Sequence, residues 1–411
     1  MNLDQIDTVV TRVIDRTPVL DIHTHLYAPA FGRIGLWGID ELVTYHYLEA
    51  EFFRASTMTP DQYWALDKIA RADAIWKALF VERTPISEAT RGVVCVLASL
   101  GLDPGAETLK DARAYFNAQS FESHLANVLA LAGVSEVVMT NDPLDPEEAP
   151  SWEQGVGADP RFHAALRLDR ILNDWTAGAA ALARLGYDVD AGAGPKSTDE
   201  VRRFLERWIG LMKPRYLAVS MTDAFTFPAD DARTRLMQHA VLPVCKAAGL
   251  PMSLMIGVRR QVNPALRLAG DAVGQADLRS VERLCRDWPD VRFLISVLSR
   301  ENQHELCVYA RKFANLMPFG CWWFLNNPSI VEEMTRERLE MLGQSFIPQH
   351  SDARVLEQVI YKWRSSRRSI AVALADSYRR LLIDGGQVTE SDIDRDVTRL
   401  FRTNFTDFCR M

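Results

Sequence analysis

The chain has 411 residues, 48% hydrophobic and 25% charged, which is ordinary for a globular protein with a sizeable core. Its net charge of −7, with local basic runs such as Arg364 to Arg368 offset by acids elsewhere, argues against nucleic acid or an anionic membrane as partner. The six cysteines (Cys95, Cys245, Cys285, Cys307, Cys321, Cys409) show no paired spacing, the N-terminus has no signal pattern, and no apolar run reaches membrane-spanning length, so a reducing, cytoplasmic setting is expected.

Residues 3 to 15 read as a short helix. Next comes Val19-Leu20-Asp21-Ile22-His23-Thr24-His25-Leu26, an apolar run ending in two histidines two apart. On a strand, residues i and i+2 share a face, so both imidazoles point the same way. At a strand end they can grip one divalent ion from one side. Residues 30–133 then carry helical periodicity with few strand signals. One helix is expected from Asp40, as N-cap, through Leu48, and others over Pro60 to Phe80, Ile86 to Leu100, Thr108 to Ala114 and Phe121 to Leu131.

From residue 134 strands and helices alternate. Expected strands are Glu136 to Thr140, Phe162 to Leu168, Tyr216 to Met221, Met252 to Gly257, Arg292 to Leu298, Leu316 to Trp322 and Ser345 to Gln349. With the first strand these make eight, the pattern of an α/β fold of the (β/α)8 TIM-barrel type with a helical insertion after strand one and a helical C-terminal tail from Tyr361. Without insertion and tail, on the order of 250 residues remain, the usual size of such a barrel. The expected division is therefore a metal-binding barrel, 1–29 and 134–411, with 30–133 as insertion or lid. The insertion leaves from the C-terminal end of strand one, the face where such barrels keep their active sites.

Ligands are accordingly sought at strand ends. The eighth strand runs into His350-Ser351-Asp352-Ala353-Arg354, and in a closed barrel it lies beside the first. Asp352 with His23 and His25 would make a site for one metal ion with open positions. Strand four ends without a Lys, and strands five and six end without a His, so a two-metal hydrolase site is hard to assemble. His46 and Tyr47 on the first lid helix suit proton transfer. Arg167 and Arg354 at strand ends suit an anionic substrate. Trp322 and Trp323, with Asn326 and Asn327, offer aromatic faces and amides to a sugar. His350 shares strand parity with Asp352, whereas His124, His163 and His239 read as structural.

Four blocks in order resemble uronate isomerase (glucuronate isomerase) of the amidohydrolase superfamily. They are the His-x-His of strand one, Asp40-Glu41-Leu42-Val43-Thr44-Tyr45-His46-Tyr47, Gly320-Cys321-Trp322-Trp323-Phe324, and Ser351-Asp352-Ala353-Arg354. The similarity runs over nearly the whole chain. His-x-His alone belongs to the entire superfamily; the four together are specific. One departure is Met255, where family members often carry a His before the Ile-Gly of strand five. The resemblance implies one divalent metal, zinc, held by His23, His25 and Asp352, with His46, Tyr47, Arg167 and Arg354 around the substrate. It implies interconversion of D-glucuronate with D-fructuronate, or D-galacturonate with D-tagaturonate, through an enediol. His46 and Tyr47 would relay the proton, Asp352 would assist a hydroxyl proton, Arg354 or the metal would bear the oxyanion, and Arg167 would hold the distal carboxylate. The expected partner is a small sugar acid, with assembly into a homo-oligomer left open. The alternatives are a one-metal hydrolase or decarboxylase on the same barrel, and an isomerase or binder of a related sugar acid.

Overall fold

The computed structural model describes residues 1–155 and 159–411. Its centre is a parallel sheet of β1 (Val19–Thr24), β2 (Val134–Asn141), β3 (Phe162–Arg167), β4 (Leu217–Thr222), β5 (Met252–Arg259), β7 (Phe293–Val297) and β8 (Leu316–Pro318), hydrogen-bonded in that order. A two-residue strand not expected from the sequence, β6 (Ala272–Val273), pairs antiparallel with the end of β5. The strands are apolar almost throughout because both faces are covered. Ala165, Ala218, Met255 and Leu294 fill the barrel interior, while their chain neighbours Leu166, Leu217, Leu254 and Ile295 pack outward under helices.

The last strand expected from the sequence, Ser345 to Gln349, is reduced to a single bridge, Phe319 to Ile347. Pro348 follows immediately and has no N–H to continue the ladder. The barrel nevertheless closes. Ile347 N–H donates to Pro318 O (3.0 Å) and Gly320 N–H to Ile347 O (2.9 Å). On the other side Asp352 N–H donates to His23 O (3.1 Å) and His25 N–H to Ala353 O (2.7 Å). The α/β TIM-type barrel is thus present, and strand one and the Asp352 segment are direct neighbours.

The helical segment 30–133 differs from expectation at one point, beside His46. The single helix expected from Asp40 is two helices, Ile39–Val43 and His46–Ala55. Asp40 does not cap; its carboxylate pairs with Arg113 (2.8 Å), and Gly38, at φ 102°, occupies the cap position. Thr44 Oγ1 donates back to Asp40 O (2.6 Å) and Tyr45 is extended (ψ 141°), which ends the first helix and starts the second at His46. His46 and Tyr47 therefore stand in the first turn of a helix, where backbone N–H groups have no intrahelical partner. The helices of residues 30–133 share one apolar core with Ile6–Arg16 and with the long helix Gln358–Ile383. No described helix is long and apolar enough to cross a membrane.

Candidate metal centre and active site

Parity alone would place Asp21, His23 and His25 on one face of β1. A register break between Asp21 and Thr24 re-phases the strand. Asp21 points to the outer side, where its carboxylate accepts from Trp363 Nε1 (2.8 Å) and Ser351 N–H (3.0 Å); burial pushes its pKa up to about 6 against those two donors. His23 lies inside, with ring centroids 6.4 Å from Phe319 and 5.0 Å from His350. His25 follows it at the mouth.

Both histidines are oriented in the same way. Tyr216, just before β4, donates its hydroxyl to Ile22 O (2.7 Å), so that oxygen must accept from His23 Nδ1 at 3.1 Å. Thr140 on β2 donates to Thr24 O (2.9 Å) and accepts from His25 Nδ1 at 3.0 Å. Each ring is thereby held as the Nδ1–H tautomer, with the Nε2 lone pair turned inward. Both lone pairs face the same atom. Asp352 Oδ1 is 3.2 Å from His25 Nε2 and 3.7 Å from His23 Nε2. Three acceptors thus converge within 4.8 Å of one another, and the buried Asp352 Oδ1 has no hydrogen-bond donor. That arrangement fits a metal cation.

Electrostatics agree. Burial lowers His23 to about 3; burial and the Arg354 charge lower His25 to about 4; so both rings are neutral and basic at Nε2 near pH 7. Burial works against the Asp352 charge, but contact with His25 and the nearby His23 and Lys362 hold it well below the usual carboxylate range. Its backbone is left-handed (φ 50°), a conformation Asp tolerates better than most residues.

His46 and Tyr47 meet Trp323 beside this cluster. The His46 ring lies 5.6 Å from Trp323, which also has a left-handed backbone (φ 45°). His46 Nε2, Tyr47 Oη and Trp323 Nε1 are buried without partners. Burial, and then the Arg354 charge, hold His46 well below the usual imidazole range, while burial holds the Tyr47 hydroxyl protonated. These three residues form one wall of a cavity of about 310 Å³ whose rim includes Asp271, Asn326 and Asn327. Trp322 is buried in the same apolar cluster as Trp323 but does not line this cavity. Arg167 closes β3 and its Nε is bonded to Asp169 (2.9 Å), leaving its terminal nitrogens for other use. His350 packs beneath His23, and it explains Gly320: a Cβ there would lie 1.9 Å from His350 Cδ2. His124 is paired with Glu357 (2.7 Å) and His163 with Glu136 (2.6 Å).

The whole chain is 50% identical to the crystal structure of a uronate isomerase from Bacillus halodurans C-125, covering 100% of this chain and 97% of that one, with a TM-score of 0.97. The chain belongs to the uronate isomerase family. A uronate isomerase from Thermotoga maritima (14% identity, 99% of both chains, TM-score 0.81) and a glucuronate isomerase from Caulobacter crescentus (14%, 99% and 94%, 0.79) share the fold. No family model matches the chain, and no curated protein matches it in sequence.

The family's His-x-His and Ser-Asp-Ala-Arg blocks are the two segments joined by the Asp352–His23 and His25–Ala353 backbone bonds. Its Gly-Cys-Trp-Trp block threads past His350 and delivers Trp323 to His46. Met255 sits inside the barrel, 1% exposed, and no residue of β5 belongs to the candidate metal cluster. Tyr216 and Thr140 escape the sequence reading. Their side chains are ordinary strand residues, and only the register between β1, β2 and β4 reveals that they orient the two histidines.

Proposed function

We propose that the protein is a hexuronate isomerase that interconverts an aldose and a ketose by moving a proton between C2 and C1 through an enediol. D-Glucuronate and D-galacturonate are the substrates proposed. The observation that carries this reading is the 50% identity over the full chain to a uronate isomerase. The converging His23, His25 and Asp352, without a second cluster of this kind among the described residues, support it further.

One zinc ion is proposed at His23, His25 and Asp352, where it would supply a fixed positive charge beside the developing oxyanion. His46 is the proton acceptor in this reading and Tyr47 the hydrogen-bond donor beside it. A neutral imidazole without a partner has a free lone pair, and a hydroxyl kept protonated by burial can only give its proton to a hydrogen bond. Burial and then the Arg354 charge keep His46 neutral, so its ring enters the reaction unprotonated, as a proton acceptor must. Asp352 assists transfer of a hydroxyl proton. Arg167, steadied by Asp169, grips the distal carboxylate through its remaining nitrogens and so selects uronates over neutral aldoses.

The test is incubation of the zinc-loaded protein with D-glucuronate, D-galacturonate and D-glucose, with ketose formation followed by circular dichroism. Turnover of at least one uronate and none of glucose is expected, with a loss of about 100- to 10,000-fold in His46→Asn. Full turnover by His46→Asn would remove it from the proton path, and no conversion of either uronate would overturn the assignment.

A further inference from the structure

Lys362 lies in the first turns of the helix Gln358–Ile383, directly after the segment that carries Asp352 and Arg354. It is 2% exposed, yet its Nζ has no hydrogen-bond partner among the described residues. The ammonium sits 5.6 Å from the ring centroid of Tyr47. Its charge acts on Asp352 and His46. On the residues that it touches or acts on, Tyr47 Oη, His46 Nε2 and Asp352 Oδ1 are likewise buried and unpartnered.

A buried ammonium with three unused donors is an unfavourable thing for a fold to keep. The two structural uses of such a lysine are poorly served here. Of the acids whose charge Lys362 feels, Asp352 first and then Glu88 are not bonded to it, and Asp21 is already satisfied by Trp363 and Ser351. What remains is a set of donors and acceptors that lack one common partner bearing several oxygens. Topology sets the direction. Arg167 closes β3, two strands to one side of β1, while Lys362 belongs to the helix after the segment on the other side of β1. A substrate whose carboxylate lies on Arg167 therefore extends its other end toward Lys362, His46 and Tyr47.

We propose that Lys362 is a further substrate-binding cation, donating to the oxygens at the C1–C2 end of the sugar acid and stabilising the charge that builds there as the proton leaves C2. The proposal rests on the hexuronate isomerase reading above. It separates the two cationic ends by role: Arg167 recognises the carboxylate in ground and transition states alike, and Lys362 acts where negative charge develops.

The test compares wild type with Lys362→Met and Lys362→Gln in the zinc-loaded protein, using D-glucuronate and D-galacturonate. Lys362→Met should lower kcat by about 100- to 1,000-fold, the usual effect of removing one oxyanion donor, with KM changed only a few-fold. Lys362→Gln, which keeps a neutral donor, should recover part of that loss. Metal content should be unchanged in both. The thermal midpoint of Lys362→Met should equal or exceed that of wild type, because an unpartnered buried charge is replaced by an apolar chain of similar length. An unchanged kcat in Lys362→Met would overturn the proposal, as would a fall in thermal midpoint and metal content that accounts for the lost activity. If wild type turned over neither uronate, the isomerase reading would fail instead, and the melting and metal data would still report whether Lys362 is structural.

Discussion

At the scale of single residues, the site is a pair of imidazoles turned by hydroxyls. Tyr216 and Thr140 each donate to the carbonyl just before the histidine they hold, which leaves each oxygen only an accepting role toward Nδ1. Removing one such contact frees a ring to flip. Tyr216→Phe is expected to weaken binding of a divalent metal by about 10- to 100-fold with the fold intact, measured by competition with a chelator; unchanged affinity would mean that packing alone sets the ring. A pH effect follows from the same burial. In metal-free protein the folded values of His23 and His25, about 3 and about 4, lie below the ordinary value of 6.5. Below pH 6.5 the unfolded chain takes up protons that the folded chain refuses, so stability is fully present above 6.5 and declines as pH falls toward 4 and 3. The thermal midpoint of metal-free protein should drop over that window, and saturating zinc should delay the drop. His23, His25 and Asp352 were legible in the sequence because chemistry of that type recurs at strand ends. Tyr216, Thr140 and Lys362 were not, since each gains its meaning from a neighbour far away in the chain.

At the scale of elements, two local breaks position the chemistry. The first is the interruption at Thr44 and Tyr45, which starts a new helix at His46. Helical periodicity runs through this stretch, so the sequence reads as one helix; the chain leaves the helix at the extended Tyr45, just after the back-bonded Thr44. The second is the passage Gly320-Cys321-Trp322-Trp323. Gly320 has a positive φ of 68° and touches the His350 ring. Gly320→Ala must both enter a left-handed conformation and displace that ring, so a loss of about 3 kcal/mol or more in urea unfolding is expected. Adding His350→Ala should restore part of it by removing the clash, leaving the backbone term; no restoration would show that the contact with His350 is not the cause. The expected eighth strand shrinks for an equally local reason, the missing N–H of Pro348.

At the scale of the whole molecule, an acidic protein gathers cations around one site. The net charge is −7, yet Arg167, Arg354 and Lys362 all act on the histidine and aspartate cluster at the barrel mouth. The barrel itself was readable from β/α alternation, because strands covered on both faces must be apolar throughout. Its closure was not, since it depends on backbone bonds from an irregular segment to β1. The same backbone bonds that close the barrel bring Asp352 onto the two histidines. The central claim, proton transfer within an intact sugar acid, is tested most directly by NMR of D-glucuronate in deuterated water with the zinc-loaded protein. The product expected is a six-carbon ketose whose C2 hydrogen has been carried to C1 or exchanged for deuterium there. Unchanged glucuronate, or products that have lost a carbon, would contradict that claim.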